Sequence, residues 1–589
     1  MTSLLAASLH PALLPAMFTG TQLTHLSPVD LIILLLYFGM VLFIGFYVKG
    51  STNTSEQFFL AGREMTAWIA GLSFVSANLG SLELMGWAGS AYQYGILATH
   101  WYWIGAIPAM LFLGIVMMPF YYISKTHSVP GYLQLRFGEG ARGLAAISFA
   151  FMTILMSGVN MYAMAVVMQT VLGWNMTVSI WVGAATVALY VMLGGLRSAI
   201  INEVLQFVLI WAGAALIPIL GLTEAGGWTQ LKANIAINMQ TNQYTHLWST
   251  LGHFKDNPMG INWVGIVFGL GAIISFGYWT TDFLVVQRVL SAHNLRAAKM
   301  APVIGAAFKM AVPLIVIVPG LICLGLMQNG HPLFHLVPAD VAKGNPALHS
   351  YDQVLPLMLI RYCGPGLLGL GITALVAGFM SGMAGNVSAF STVWTYDIYG
   401  AYMNKKASDQ HYVWMGRAST IVGMLVSIAT AYLVMNAASI MDYVQALFSF
   451  FIAPLFGTVI LGMLWKRATN WGGFLGLLAG TASSIGMFIY TSTGSAEHKA
   501  AALARIALSP DAQPMAENMF RALWSWLICV GVTVIVSLVT RPRPESELNG
   551  LVYGATVIPH DGATTLFQKP IFWAAVVSVV FVILQIIFW

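Results

Sequence analysis

Apolar stretches of about twenty residues recur fourteen times along this chain, each closed off by polar residues, glycine or proline. A bilayer core about 30 Å thick is crossed by roughly 20 apolar residues in a helix. Lipid offers no partner to a free backbone N–H or C=O, so spanning segments of this length are helical. The runs lie at 29–48, 66–91, 101–123, 143–171, 177–193, 203–223, 262–287, 301–327, 366–391, 418–436, 441–464, 472–490, 522–540 and 571–588. They predict an all-α integral membrane protein of about 14 transmembrane helices. Only 8% of the residues are charged, about a third of the share in a soluble domain, which excludes a water-exposed globular fold. Three cysteines, Cys323, Cys363 and Cys529, are too few and too apolar in setting for a disulfide framework or a thiolate metal site. The 13 histidines are scattered mostly through loops without HExxH spacing, and no Ser/His/Asp cluster is legible, so no enzyme is expected.

Cytoplasmic loops collect Lys and Arg. Assigned to alternating sides of fourteen spans, the 25 basic residues divide 17 against 7, with Lys309 left inside a span. The minority is confined to three long loops and their edges. This predicts both termini outside, basic loops in the cytoplasm, and a multi-pass protein of the plasma membrane whose surroundings are the lipid bilayer. The net charge of +5 is thereby accounted for without a nucleic-acid partner, since the basic residues form no stripe. The segment before Asp30 lacks a basic n-region and reads as an extracellular tail, not a cleaved signal. Loops 224–261, 328–362 and 491–520 are too polar to span and read as external caps.

Three ionisable side chains fall at membrane depth: Glu83 in the second run, Asp282 in the seventh and Lys309 in the eighth, while Glu203 opens the sixth. Such a residue costs at least a few kcal/mol and is usually kept because it lines a cavity or pathway. For Glu203 and Asp282, both near run ends, an internal salt bridge is an equal alternative. The second run reads Ser76-Ala77-Asn78-Leu79-Gly80-Ser81-Leu82-Glu83, small and polar in mid-span. Discontinuous helices of secondary transporters use such sequences, their unwound carbonyls binding a cation. Ser275-Phe276-Gly277 is a matching interruption five runs later, the spacing of an inverted five-plus-five repeat; tight packing of two glycine-rich spans would give the same pattern. In the ninth run, Ser381 could complete a cation site or back-bond to its own helix. Gln445, just after Asp442, is similarly ambiguous.

Further landmarks follow in order: Phe58-Phe59-Leu60-Ala61-Gly62-Arg63, then Ser76 to Ser81, then Pro130 with Tyr132-Leu133 and Arg136-Phe137-Gly138. Gly194-Gly195-Leu196 with Asn202-Glu203 and Gln206 comes next, then Tyr278-Trp279-Thr280-Thr281-Asp282 with Gln287-Arg288 and Lys309. Asp397-Ile398-Tyr399, Asp442-Tyr443-Val444-Gln445 and Trp465-Lys466-Arg467 close the series. In this order, from about residue 30 to 480, the chain resembles the sodium/solute symporter family and within it the sodium/glucose (galactose) cotransporter branch. The resemblance implies a LeuT-like ten-helix core of two inverted five-helix repeats with two broken helices. The chain then divides into a tail (1–28), an extra N-terminal helix (29–48), a first repeat (66–223), an external loop (224–261), a second repeat (262–464) and three C-terminal helices (465–589). In those last three helices no chemistry is legible.

Carried over position by position, the resemblance implies that Asn78, Lys309 and Gln445 hydrogen-bond sugar hydroxyls, that Tyr278 stacks on the sugar ring with Trp279 beside it, and that Ser275 contacts the solute. Glu83 falls where the branch uses His or Gln. Tyr102 stands where sugar carriers have an acceptor Glu, so an acceptor has moved from one wall to another. For sodium, the resemblance implies carbonyl ligands at Ser76, Leu79 and Gly378 and a hydroxyl at Ser381. The family's second hydroxyl is replaced by Gly382, which weakens the site unless water, Asn386 or a register shift compensates. The function expected is secondary active symport of a sugar or similar polyhydroxylated small solute into the cell, by alternating access, driven by the sodium gradient and without an organic cofactor. The alternatives are proton coupling through Glu83 or Asp282, a different solute (polyol, nucleoside, carboxylate), and a sensor that binds without pumping.

Overall fold

The computed structural model describes residues 26–48, 54–80, 82–326, 351–434, 439–559, 562 and 565–589. The expected tail up to residue 25, Ser81 and most of the 328–362 loop lie outside them. In chain order the apolar helices are α1 (Pro28–Val48), α2 (Ala67–Asn78), α3 (82–94), α4 (102–123), α5 (Glu139–Leu172), α6 (Met176–Glu224), α7 (Gly265–Thr281) and α8 (Phe283–Leu290). They continue with α9 (Leu295–Lys309), α10 (Val312–Leu326), α11 (Leu367–Met403), α12 (Asp409–Val434), α13 (Ile440–Leu464), α14 (Asn470–Ser492), α15 (Pro514–Val539) and α16 (Pro570–Ile587). Among the described residues the only β pairing is an isolated bridge between Met65 and Ala292.

Ten helical segments among the described residues are long and apolar enough to cross a bilayer, with α3 and α4 counted as one; two bent pairs, α7–α8 at 50° and α9–α10 at 46°, raise the number to twelve. The sequence count of fourteen differs because two of these segments each carry two apolar runs. A straight α6 of 49 residues would reach about 70 Å, twice the hydrocarbon core. It does not run straight, because Gly195 takes φ 53, ψ −147 inside it. Gly95, at φ 69, ψ −151, separates α3 from α4 in the same way.

The second break lies elsewhere than the sequence suggests. Ser275 and Gly277 stay helical, and the chain bends six residues beyond Phe276, at Asp282, which has extended φ and ψ and caps α8 through a bond from the Leu284 N–H (2.9 Å). Gly277 is small for packing: a Cβ there would meet Ile452 at 2.6 Å. A third break, between Lys309 and Val312, is absent from the sequence reading; Pro313 in the first turn of α10 withholds a backbone donor there.

Burial orders the helices from the centre outwards. The apolar window of α11 is 89% buried and that of α16 only 17%, so α11 is an axis of the core while α16 faces outwards along most of its length. Asp30, at the start of α1, anchors the entry of α11 by accepting the Gly366 and Gly369 N–H groups at 2.8 and 2.6 Å. A carboxylate satisfies unpaired N–H groups at a helix N-terminus and interacts well with its dipole.

Gly195 is the position least tolerant of a side chain at the α6 turn, since a Cβ would lie 2.5 Å from the Phe58 carbonyl oxygen. Gly195→Ala is expected to destabilise the protein by at least about 2 kcal/mol, read as a lowered melting temperature of the detergent-purified protein. An unchanged melting temperature would mean that the turn can relax.

Candidate functional site

Regular bonding along α2 ends at Asn78. The Leu79 N–H still reaches the Val75 carbonyl (2.8 Å), but the Gly80 N–H turns back to Asn78 (2.7 Å), and the Ser76 carbonyl is left outside the helical ladder. It receives the Ser381 hydroxyl of α11 instead, at 2.9 Å. Ser381 therefore bonds across the interface and not back to its own helix. The approach is close enough that a Cβ on Gly80 would lie 3.0 Å from the Gly378 carbonyl oxygen, and one on Gly378 would lie 3.4 Å from that of Leu79. Ser76, Leu79, Gly378, Ser381 and Gly382 thus cluster at one contact between the end of α2 and α11. Ser76 Oγ is buried there with no hydrogen-bond partner among the described residues. Asn386 is engaged with its own helix, its Nδ2 donating to the Gly382 carbonyl at 2.9 Å.

After the break, α3 restarts with a π-wound turn, Leu82–Gly86, that carries Glu83. Three other π-wound stretches, Tyr102–Ala106, Gly265–Ser275 and Phe448–Ile452, bring Tyr102, Ser275 and Phe448 to the same cavity. A widened turn shifts side chains out of the regular helical register, and such turns are frequent at functional sites.

All eight solute-site residues expected from the sequence, Asn78, Glu83, Tyr102, Ser275, Tyr278, Trp279, Lys309 and Gln445, line this one cavity. The fully buried Lys309 ammonium donates to Asn78 Oδ1 and to Glu83 Oε2, the latter at 3.3 Å. It also lies 5.0 and 5.2 Å from the ring centroids of Tyr102 and Trp279. The Tyr102 hydroxyl donates to Glu83 Oε2, so the residue that replaces an acceptor at 102 holds the acceptor that stands at 83. Asn78 Nδ2 donates to the Tyr278 hydroxyl at 2.8 Å, and the Tyr278 ring packs on Trp279 and Phe448 with centroids 5.1 and 5.0 Å away. Gln445 Oε1 is buried in the wall without a hydrogen-bond partner among the described residues.

Of the other ionisable candidates, Asp282 borders the cavity but serves as the cap of α8. Glu203 belongs to a separate buried ion pair with Arg288 at 2.5 Å, joined by the Ser73 hydroxyl. The sequence reading misses two residues. Asn160 of α5 lines the cavity beside Gly382; its signal is the small-polar run Ser157-Gly158-Val159-Asn160, which resembles the run at 76–81. Arg521, which the sequence places at a loop edge, is buried within α15 and donates to the Ser449 hydroxyl (3.0 Å) and to Glu517 and Asn518. It holds the π-wound stretch that begins three residues after Gln445.

The sodium:solute symporter family model matches residues 58–480, nearly three-quarters of the chain. The chain belongs to the sodium:solute symporter family. It is a sodium-driven symporter of a small solute and not an enzyme. Sodium/myo-inositol cotransporter 2 of Oryctolagus cuniculus is 29% identical over 551 residues, covering 90% of this chain and 79% of that protein. Sodium/glucose cotransporter 4 of Homo sapiens is 28% identical over 569 residues, covering 92% and 81%. In structure, the symporter is similar to a sodium-coupled sialic acid symporter solved in a substrate-bound outward-open state. The TM-score is 0.69 at 21% identity, covering 88% of this chain and 99% of that one. That similarity gives the fold as LeuT-like.

Removing one partner of a buried ion pair strands the other charge. Lys309→Met is expected to destabilise the symporter by about 2 kcal/mol, and adding Glu83→Gln to recover most of that loss, a coupling of about 1–3 kcal/mol. Melting temperatures of the four members of this double-mutant cycle measure it. Strictly additive losses would show that the pair is not coupled.

Proposed function

We propose that the symporter carries a sugar or a cyclic polyol of similar size into the cell across the plasma membrane, with both termini outside. In this reading sodium is held at the α2–α11 contact by the carbonyls of Ser76, Leu79 and Gly378 and the hydroxyl of Ser381. The eight cavity residues hold the solute. The observation that carries the reading is one cavity combining the Tyr278–Trp279 aromatic pair with Asn78, Glu83, Lys309 and an unsatisfied Gln445 acceptor. A hydroxylated ring has C–H faces that suit an aromatic plate and a rim of O–H groups that need paired donors and acceptors. The relatives named as glucose and myo-inositol cotransporters support this solute class. A carboxylate is disfavoured because Lys309 is already paired with Glu83 and Asn78.

Coupling follows from the sequence order at the break. Ser76 and Leu79 present carbonyls to α11, and Asn78, between them, turns its side chain to Lys309 and Tyr278. A cation that orders those carbonyls also fixes Asn78, and by reciprocity the solute raises cation affinity by the same factor. Tyr278, which closes one wall four residues before the hinge at Asp282, is the side chain whose departure opens a way inwards. In this reading the repeats at 66–223 and 262–464 enclose this centre between them, followed by the three helices of 465–589.

The test is uptake of radiolabelled glucose, galactose and myo-inositol into proteoliposomes under an inward sodium gradient, an inward proton gradient, and neither. Accumulation of at least one solute with sodium alone is expected. Proton-driven accumulation would overturn sodium coupling. Absence of both uptake and binding would sink the solute class, and binding without uptake would favour a sensor. Tyr278→Ala and Gln445→Ala are each expected to raise the KM of the carried solute about tenfold, the loss of one well-made contact.

A further inference from the structure

We propose that Asn160 Oδ1 supplies the cation ligand that this chain lacks at Gly382, so that the sodium site is completed from α5. The proposal rests on the sodium site set out above and deepens it. A Cβ at position 382 would lie 2.5 Å from Asn160 Oδ1 and 2.9 Å from its Cγ. The carboxamide therefore fills the space that a serine or threonine side chain at 382 would occupy, and either a hydroxyl there or the Asn160 amide fits, but not both. Glycine at 382 is the residue that admits it.

The orientation of the amide is set locally. Asn160 Nδ2 donates to the Met156 carbonyl of its own helix at 2.9 Å. A carbonyl oxygen requires a donor, so the nitrogen lies on that side and the amide oxygen on the other. That oxygen faces Gly382 and also Gly80, whose added Cβ would lie 3.3 Å from it and 3.0 Å from the Gly378 carbonyl oxygen. Amide oxygens are hard donors of the kind that oxygen-seeking cations take. With Asn160 the cradle has five oxygens: the carbonyls of Ser76, Leu79 and Gly378, the Ser381 hydroxyl and the Asn160 amide. Ser76, whose carbonyl belongs to this cradle, also has a buried hydroxyl that is unpartnered among the described residues. Buried polar atoms are rarely left without a partner. The loss of a hydroxyl at 382 is on this account an exchange of ligands and not a weakening of the site.

The test uses purified full-length symporter and radioactive sodium, with binding followed by scintillation proximity against choline and the sodium-dependent rise in melting temperature as a second readout. Asn160→Ala is expected to raise the half-saturating sodium concentration at least about tenfold, or about 1.4 kcal/mol. Adding Gly382→Ser to Asn160→Ala is expected to restore most of the affinity, since the emptied space then holds a hydroxyl. Unchanged sodium affinity in Asn160→Ala overturns the proposal, as does a double variant no better than Asn160→Ala, because a packing role would not be rescued by an oxygen at 382. If Asn160→Ala cannot be purified, Asn160→Asp at pH 8 takes its place. A carboxylate at the ligand position is expected to lower the half-saturating concentration, and an unchanged or raised value overturns the proposal. Wild-type protein that shows no saturable sodium binding would overturn the underlying sodium site as well, whereas saturation in wild type with no change in Asn160→Ala removes the Asn160 assignment alone.

Discussion

Carbonyls released inside a membrane have to be met by something, and the interior of this symporter is arranged around those released where α2 stops. The Gly80 N–H turns back to Asn78, the Ser76 carbonyl loses its helical donor, and α11 closes in through Gly378 and Gly382 to supply the Ser381 hydroxyl. In water the break would cost little, because solvent would satisfy the freed groups. In a buried interface each unsatisfied group costs several kcal/mol, a cost that the proposed cation would relieve. On the proposed reading the break makes a cation part of the fold, and its position next to Asn78 joins the ion to the cavity.

The cavity is organised by a second constraint, a single buried ammonium. Lys309 reaches both sides of the α2–α3 break, Asn78 before it and Glu83 after it, and lies over the faces of Tyr102 and Trp279. An ammonium in an apolar interior needs partners on every side. Here four residues from separate elements provide them, so one charge fixes the relative position of α2, α3, α4 and α7. Lys309 itself ends α9, where the chain bends by 46° before α10. Both the charge and the backbone break therefore fall at the centre.

Much of this is legible in the sequence. The spans follow from length and hydrophobicity alone, and the α2 break is suggested by Ser76 to Ser81, because a continuous helix gains nothing from a run of small and polar residues in mid-span, although tight packing would give the same pattern. The second break is misplaced because Ser275-Phe276-Gly277 has the composition of a break but the function of a contact: Gly277 admits Ile452, and the actual hinge is marked by an acidic cap at Asp282. Arg521 lies one residue outside an apolar run and so reads as a loop charge, although it points inwards. Asn160 carries no charge and sits in an unbroken helix, so nothing in the linear pattern connects it with Gly382 across 222 positions. Only the meeting of α5 and α11 relates an added amide to a missing hydroxyl.

The bonding that the cavity residues make among themselves bears on how long a passenger would stay. With Asn78, Glu83, Tyr102 and Lys309 already satisfying one another, a solute bound as proposed would exchange bonds with these four and meet an unpaired acceptor at Gln445. On that reading most of its hydrogen-bond energy would be offset by the bonds it displaces, which leaves Gln445 and the aromatic pair as the source of net gain. That balance would favour modest affinity and a short residence time, with departure eased as the lysine closes the network again. On the proposed reading, a cavity that closes its own bonds again suits a carrier whose throughput depends on letting go.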